Sequence, residues 1–148
     1  MKLLIAGRLA WQYDDVLTKL KSYKYRDDVV LLDYLPDDQL MKITAAAYAV
    51  VYTSFFEGFG LPIIEAMQSG VPVISANTSS MPEVGADAAL YADPTSPDDL
   101  AKHMLNLYRD ETVRAELVRK GEERAASFNW DRSADHLWQI IARAAEKG

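Results

Sequence analysis

The sequence predicts an α/β fold, with a Rossmann-like, doubly wound parallel sheet, helices on both faces and a helical C-terminus. Short, continuously apolar runs alternate with longer helical patterns along the first 92 residues. This alternation is typical of parallel strands buried on both faces. Proline and aspartate stand at the starts of several helical segments and glycine ends one of them, as is common at helix termini.

The elements follow in a regular order along the chain. The predicted strands occupy residues 3–6, 29–32, 48–53, 71–74 and 89–91. The predicted helices occupy residues 13–24, 36–47, 61–69 and 81–84, then one from 97, one at 111–127 and one at about 131–146. Ligands of doubly wound sheets bind at the carboxyl ends of the strands. The loops after the strands are therefore where chemistry is expected.

Composition limits the classes of function. The 148 residues suit one domain, predicted to span residues 1–148. The absence of cysteine excludes disulfides, thiolate metal sites and cysteine nucleophiles, and fits a cytoplasmic protein. The net charge of −6 argues against nucleic acid as a partner, because phosphate backbones are bound by Lys and Arg. The longest uncharged stretch, residues 43–56, is short for a membrane span.

The loop after the third strand carries the strongest chemical signal. Glu57 and Glu65 are separated by seven residues, and Gly58 and Gly60 lie between them at the start of a predicted helix. Glycine lets a ligand approach the backbone, and a helix start offers free N–H groups and partial positive charge. The segment therefore indicates an anion site suited to a phosphate or a polar sugar.

The two carboxylates need a separate explanation, because they would repel an adjacent phosphate. They accept hydrogen bonds well from vicinal hydroxyls. Amides flanked by carboxylates therefore fit a nucleoside diphosphate sugar, which presents hydroxyls, phosphate and hydroxyls in order. The simpler alternative is that Glu57 and Glu65 are solvated helix-surface acids and that the glycines serve a tight turn.

The stretch from Phe55 to Glu83 weakens that alternative because it resembles the donor-site signature of the retaining family-4 glycosyltransferases, which have the GT-B fold. The resemblance rests on residues 57–67, on Gly70-Val71-Pro72-Val73-Ile74 and on residues 77–84, which resemble the mannosyltransferase-like branch. Phe128-Asn129-Trp130 resembles an aromatic pair near the family's C-terminus, with Asn129 where Ser or Thr is commoner.

The resemblance implies a role for each matching residue. Glu57 would be the catalytic residue, contacting hydroxyls of the donor sugar, and Glu65 would accept from the ribose hydroxyls. The backbone amides of residues 58–61 would bind the sugar and the diphosphate, and Tyr34 and Leu35 would line the base pocket. The donor-binding residues in this assignment are Gly58, Phe59, Gly60, Leu61 and Glu65.

The resemblance also implies a reaction. A hexosyl group passes from a GDP- or UDP-linked sugar to an acceptor with retention, and the leaving phosphate helps to deprotonate the acceptor on the same face. No cofactor or metal is expected, because amides and positive side chains stabilise the departing diphosphate.

Several parts of such an enzyme are expected to be missing. The chain resembles a donor domain truncated at its N-terminus, beginning at the second strand, and the N-terminal acceptor domain and the Arg/Lys loop that grips the diphosphate are absent. Without them, the isolated chain is expected to be inactive. Because the missing strand would be central, the remaining strands are expected either to close up or to pair with another chain, including self-association through strand edges. Peripheral membrane association is expected only of the full-length enzyme.

Two other functions were weighed. A nicotinamide-dependent oxidoreductase requires Gly-x-Gly-x-x-Gly after the first strand, whereas residues 7–12 read Gly-Arg-Leu-Ala-Trp-Gln. A non-catalytic Rossmann-like binding or interaction module stays open as the alternative. Phe128, Trp130 and Trp138 are interpreted as packing anchors rather than as a ligand platform.

Overall fold

The computed structural model describes residues 1–8 and 13–146, so the loop after the first strand lies partly outside the described residues. The strands are β1 (Leu3–Ala6), β2 (Val29–Leu32), β3 (Val50–Tyr52), β4 (Val73–Ala76) and β5 (Ala89–Ala92). The α-helices are α1 (Asp14–Ser22), α2 (Asp37–Ala45), α3 (Leu61–Gln68), α4 (Met81–Gly85), α5 (Pro97–Arg109), α6 (Glu111–Ala126) and α7 (Trp130–Ala145). Short 3₁₀ turns precede β2 and β5, at Arg26–Asp28 and Ala86–Ala88.

The order and type of these elements confirm the α/β prediction. Every strand pair within the described residues is parallel, as continuous apolar runs joined by helices predict. The boundaries move by one or two residues in most elements. The fourth strand begins at Val73 rather than at Val71, because Pro72 has no N–H to donate to a ladder and serves as its lead-in.

The strands form two parallel sheets, β1–β2 and β3–β4–β5. Each sheet ends in strands with a single partner, since β1 pairs with β2 and β3 pairs with β4. The expectation that the remaining strands close up or pair with another chain stays a prediction.

The chain divides into two compact units, Met1–Ile43 and Thr44–Gly148. In the first unit, β1 and β2 pair in register from Leu3↔Val29 to Ala6↔Leu32. All four residues of β1 are exposed, including Leu3 and Ile5 at 46% and 41%. This strand therefore has the composition of a buried strand without the burial.

The second unit holds the hydrophobic core. Its central strand, β4, is buried along its whole length. One cluster contains residues of α3, β4, α4 and α6, among them Ile63, Met67, Val73, Met81 and Ala125. A second cluster contains Ile74, Ala92, Leu107 and Leu117, and so brings α5 and α6 against β4 and β5. This sheet is consequently covered on both faces, as in a doubly wound fold.

Helix α6 approaches α3 closely at a glycine. A Cβ atom on Gly121 would lie 3.1 Å from Cγ of the fully buried Met67. The missing side chain at Gly121 therefore lets α6 pack closely against the last turn of α3.

The C-terminal helix α7 is amphipathic and keeps its large apolar side chains exposed. Trp130 and Trp138 are 91% and 69% exposed. The interpretation of these two tryptophans as packing anchors is therefore wrong. Phe128, in contrast, is partly buried against the first cluster of the core, as that interpretation predicts.

Candidate functional site

The loop between β3 and α3 lies at the carboxyl end of a parallel strand, where doubly wound folds bind ligands. It ends at Gly60, whose φ of 101° and ψ of 45° lie in the left-handed region. Glycine adopts such angles without the Cβ penalty of other residues. The turn at Gly60 lets the chain enter α3 at Leu61, with Pro62 in the first turn, where a missing N–H costs nothing.

The backbone amides at the start of α3 are free. Within residues 1–8 and 13–146, no protein oxygen accepts from the N–H of Gly58, Phe59, Gly60 or Leu61. Gly60, the N-cap residue, supplies no side-chain cap. Unpaired amides at a helix start carry partial positive charge. The structure thus brings together four N–H groups that can bind an anion.

Glu57 lies on the same loop, partly exposed to solvent. Hydrogen bonds from the hydroxyls of Tyr52 and Ser54 hold the pKa of this carboxyl below its ordinary value. Hydrogen bonding to the charged form favours ionisation. Glu57 is therefore a fixed carboxylate at neutral pH, able to accept hydrogen bonds from a ligand with its remaining lone pairs.

Glu65 projects from α3 with an exposed side chain. No cationic side chain of the described residues forms an ion pair with it. An exposed acid of this kind also fits the simpler alternative of a solvated helix-surface carboxylate, so the role of Glu65 in donor binding stays a prediction. The carboxylate is available to accept from hydroxyl groups.

Tyr52 is influenced by both Glu57 and Glu65, and the sequence alone did not identify it as a residue of the site. Burial raises the pKa of Tyr52, and the hydrogen bond with Glu57 and the negative charges of Glu57 and Glu65 raise it further. Both carboxylates therefore act on one phenol. Its position at the carboxyl end of β3, where ligands of such sheets bind, was the one feature of the sequence that could have pointed to Tyr52.

The hydroxyl-rich turn Thr78-Ser79-Ser80 after β4 belongs to the stretch that carries the resemblance, but the residue pattern assigned it no role of its own. Its three hydroxyl groups donate hydrogen bonds to carbonyl oxygens of the loop before α3, at Phe55, Glu57 and Phe59. Three adjacent hydroxyl residues at the end of a strand were the available signal.

Aromatic packing holds the same loop from the side of α6. The ring of Phe59 meets that of Phe128 edge to face, with centroids 6.0 Å apart. Arg124 stacks 4.6 Å from the centre of the Phe128 ring and donates to the carbonyl oxygens of Glu83 and Val84 at 2.7 and 2.9 Å. Arg124 is therefore occupied by the protein itself.

Tyr34 and Leu35, predicted to line a base pocket, belong to the first unit. There, residues of β1 and of the end of β2 border an open depression of about 640 Å³ that includes Tyr34 but not Leu35. The guanidinium of Arg8 lies 4.9 Å from the centre of the Tyr34 ring. The role of both residues stays a prediction.

Two kinds of feature are absent from the described residues. No group of three or more His, Cys, Asp or Glu side chains there lies close enough to hold a metal ion. In the same residues, no helix is long and apolar enough to cross a membrane.

Comparison with known proteins identifies the family. Residues 1–124 match the family described as glycosyl transferases group 1. The chain belongs to this family. The match confirms the resemblance of residues 55–83 to a glycosyltransferase family. The match covers the first unit and the second unit as far as residue 124.

Relatives of the chain include two enzymes whose names refer to mannose. The chain is 42% identical over 130 residues to O-antigen chain mannosyltransferase B of Escherichia coli, covering 87% of this chain and 34% of that protein. It is 32% identical over 126 residues to mannosylfructose-phosphate synthase of Agrobacterium fabrum, covering 83% of this chain and 28% of that protein. The chain thus spans about a third of the length of these relatives.

Solved structures share the fold. Sucrose-phosphate synthase from Thermosynechococcus elongatus superposes with a TM-score of 0.83 at 25% identity, over 99% of this chain and 39% of that one. The Anabaena protein HepE, solved in complex with UDP, gives a TM-score of 0.76 at 23% identity, over 100% of this chain and 41% of that one. Both likenesses support the GT-B assignment of the fold.

Proposed function

We propose that this chain is the nucleotide-sugar-binding part of a retaining glycosyltransferase that transfers a mannosyl group from a GDP- or UDP-linked donor. The single observation that carries the proposal is the run of four free amides at residues 58–61, flanked by Glu57 and Glu65. The sugar identity is supported by the relatives that handle mannose. Membership of the group 1 family supports the reaction class.

Each part of the site has a task in this proposal. The amides of residues 58–61 and the start of α3 bind the diphosphate and stabilise the charge that grows on it as the glycosidic bond breaks. Glu65 accepts hydrogen bonds from the ribose hydroxyls. Glu57, held by Tyr52 and Ser54, accepts from hydroxyls of the sugar. The acceptor attacks the face that the diphosphate leaves, and a diphosphate oxygen takes its proton.

The proposal assigns the rest of the active site to regions outside this chain. The chain spans about a third of its relatives, and Arg124 is engaged with backbone carbonyls. Acceptor binding and the cations that grip the diphosphate therefore come from the remainder of the enzyme. The isolated chain binds donor without transferring sugar, and needs no metal to do so.

Calorimetric titration of the 148-residue chain tests this directly. UDP, GDP and ADP are titrated with and without the attached sugar, in the presence and absence of a chelator. Binding of a uridine or guanosine nucleotide that the chelator leaves unchanged supports the proposal. Absence of binding to every nucleotide favours a non-catalytic interaction module, and sugar transfer by the isolated chain contradicts the assignment of an incomplete site.

Two substitutions separate the roles of the acids. Glu65→Ala is expected to weaken binding of nucleotide and nucleotide sugar alike by roughly tenfold or more, as expected for loss of hydrogen bonds to a charged group. Glu57→Ala is expected to weaken binding of the nucleotide sugar alone. Glu122→Ala, which removes an exposed carboxylate of α6, is the matched control and should leave both affinities unchanged.

A further inference from the structure

Ser79 forms a two-way contact with one residue of the loop before α3. Its hydroxyl accepts from the backbone N–H of Glu57 at 3.3 Å and donates to the carbonyl oxygen of the same residue at 2.6 Å. One side chain thereby satisfies both backbone groups of Glu57. A hydroxyl can do this because it has one proton to give and lone pairs to accept with.

The backbone of Ser79 is strained to make this contact. Its φ of 56° lies in the left-handed region, which residues other than glycine, asparagine and aspartate seldom adopt. Strain of this kind persists where the surrounding structure over-determines it, often beside a ligand site. The left-handed backbone conformation of Ser79 is therefore imposed by its hydrogen bonds to the loop and not by the conformational preference of serine.

The two neighbours of Ser79 complete the contact. The hydroxyl of Ser80 reaches the carbonyl oxygens of Phe59 at 2.9 Å and Glu57 at 3.1 Å, and that of Thr78 reaches the carbonyl oxygen of Phe55 at 3.1 Å. The turn thus binds carbonyl oxygens of the loop, while the N–H groups of residues 58–61 have no protein acceptor in the described structure.

The turn is itself anchored in the core. It follows the buried strand β4, and the N–H of Asn77 donates to the carbonyl oxygen of Ala92 at 3.0 Å. Met81, directly after the turn, is fully buried in the first cluster. Three hydroxyl groups therefore connect the loop before α3 to a turn that is itself anchored in the hydrophobic core.

We infer that Thr78, Ser79 and Ser80 are positioning residues of the donor site, which hold Glu57 and the amides of residues 58–61 in their ligand-binding arrangement before the ligand arrives. The inference rests on the proposed function. The hydroxyl groups touch the loop and not the sugar nucleotide. They contribute by preorganisation: because the loop is already ordered, binding does not have to offset the entropy cost of ordering it, and affinity is higher.

Ser79→Gly is the most informative variant. Glycine accepts the left-handed backbone at position 79 without strain, so the fold is kept while the hydroxyl is lost. Affinity is measured by calorimetry for GDP-mannose or UDP-glucose, whichever the wild-type chain binds, and for the free nucleotide. Ser133→Ala is the matched control, since it removes one hydroxyl-to-carbonyl hydrogen bond of 3.1 Å in α7.

The expected result is a loss of roughly five- to tenfold in affinity for the nucleotide sugar, as for about one hydrogen bond, with a smaller loss for the free nucleotide and an unchanged melting temperature. Ser80→Ala should repeat the loss, and Ser80→Thr, which keeps a hydroxyl, should restore affinity. Equal binding by wild type and Ser79→Gly would overturn the inference while leaving the proposed function intact. Failure of the wild-type chain to bind would remove both.

A ligand-free measurement gives an independent check. In ¹³C NMR titration of the Glu57 carboxyl, loosening of the loop in Ser79→Gly should raise the pKa of Glu57 toward its ordinary value. A merely structural role of Ser79 would not move this value in a variant that stays folded. An unchanged Glu57 pKa would therefore also overturn the inference.

Discussion

The phenol of Tyr52 is the main cause of the lowered pKa of Glu57, and the negative charges of Glu57 and Glu65 in turn help to raise the pKa of Tyr52. Tyr52 is the last residue of β3, Glu57 lies on the following loop and Glu65 lies in the second turn of α3. The two acids on either side of the four amides therefore both act on one half-buried tyrosine. This arrangement keeps Glu57 ionised and links its position to the sheet.

Removal of that phenol should change the ionisation of Glu57. In Tyr52→Phe, the carboxylate loses the donor that contributes most to its lowered pKa, so the pKa of Glu57 should rise. The value is read from ¹³C NMR titration of the labelled carboxyl. Tyr91→Phe, which removes a hydrogen bond of 2.8 Å to the carbonyl oxygen of Ala86, should leave Glu57 unchanged. An identical Glu57 pKa in wild type and Tyr52→Phe would contradict the contact.

The same contact predicts a pH dependence of stability. The pKa of Glu57 is lower in the folded state than in the unfolded chain, where a glutamate titrates near about 4.3. Its contribution is present above that unfolded value and is lost as the pH falls through the folded pKa. The free energy of unfolding of wild type should exceed that of Tyr52→Phe by more at pH 7 than at pH 3, in urea titrations. If the difference in free energy of unfolding between the two proteins did not change with pH, Tyr52 would not affect the ionisation of Glu57.

The glycines of the loop should differ in their tolerance of alanine. Gly60 has a φ of 101°, and an added Cβ would lie 3.3 Å from Cδ1 of Ile63. Gly60→Ala should therefore lower the free energy of unfolding by roughly 1–2 kcal/mol. Gly58 has open space around it and no left-handed φ, so Gly58→Ala should change stability by less than about 0.5 kcal/mol. Chemical denaturation of both variants without ligand decides this, and equal effects would contradict the strained turn at Gly60.

Two arginines of α6, Arg124 and Arg119, should differ in how much stability is lost when each is replaced by alanine. Arg124 is partly buried, holds two backbone carbonyl oxygens and stacks on Phe128. Arg124→Ala should cost about 1.5–3 kcal/mol, because hydrogen bonds to a charged group are lost and the carbonyls are left unpaired. Arg119 pairs with the exposed acids Glu116 and Glu123, so Arg119→Ala should cost less than about 1 kcal/mol. Comparable losses in thermal and urea unfolding would contradict this division.

Much of the fold could be predicted from residue patterns. Apolar runs such as Val29–Leu32, and helix starts marked by Pro97 or by Asp110, give the elements and their order because these signals are local. The division into two sheets and the exposure of Trp130 and Trp138 could not be predicted. An amphipathic pattern shows which face of a helix is apolar but not what covers it.

The site was predictable to a similar degree. Glu57, Glu65 and the amides between them follow from a glycine-rich stretch at a helix start. Tyr52 and Ser79 could not be identified from spacing, because each acts through a contact that the fold creates. Ser79 lies 22 positions from Glu57, and no local rule connects a turn after one strand to the loop after its neighbour.

Binding of a nucleotide sugar by the amides at the start of α3 can be observed by NMR titration of the ¹⁵N-labelled 148-residue chain with GDP-mannose and UDP-glucose. The amide signals of Gly58, Phe59, Gly60 and Leu61 should shift most and together, and Glu65→Ala should need a higher ligand concentration for the same shifts. If saturating ligand left these four amide signals unshifted while signals elsewhere moved, or if no amide responded to either ligand, the start of α3 would not be the binding site.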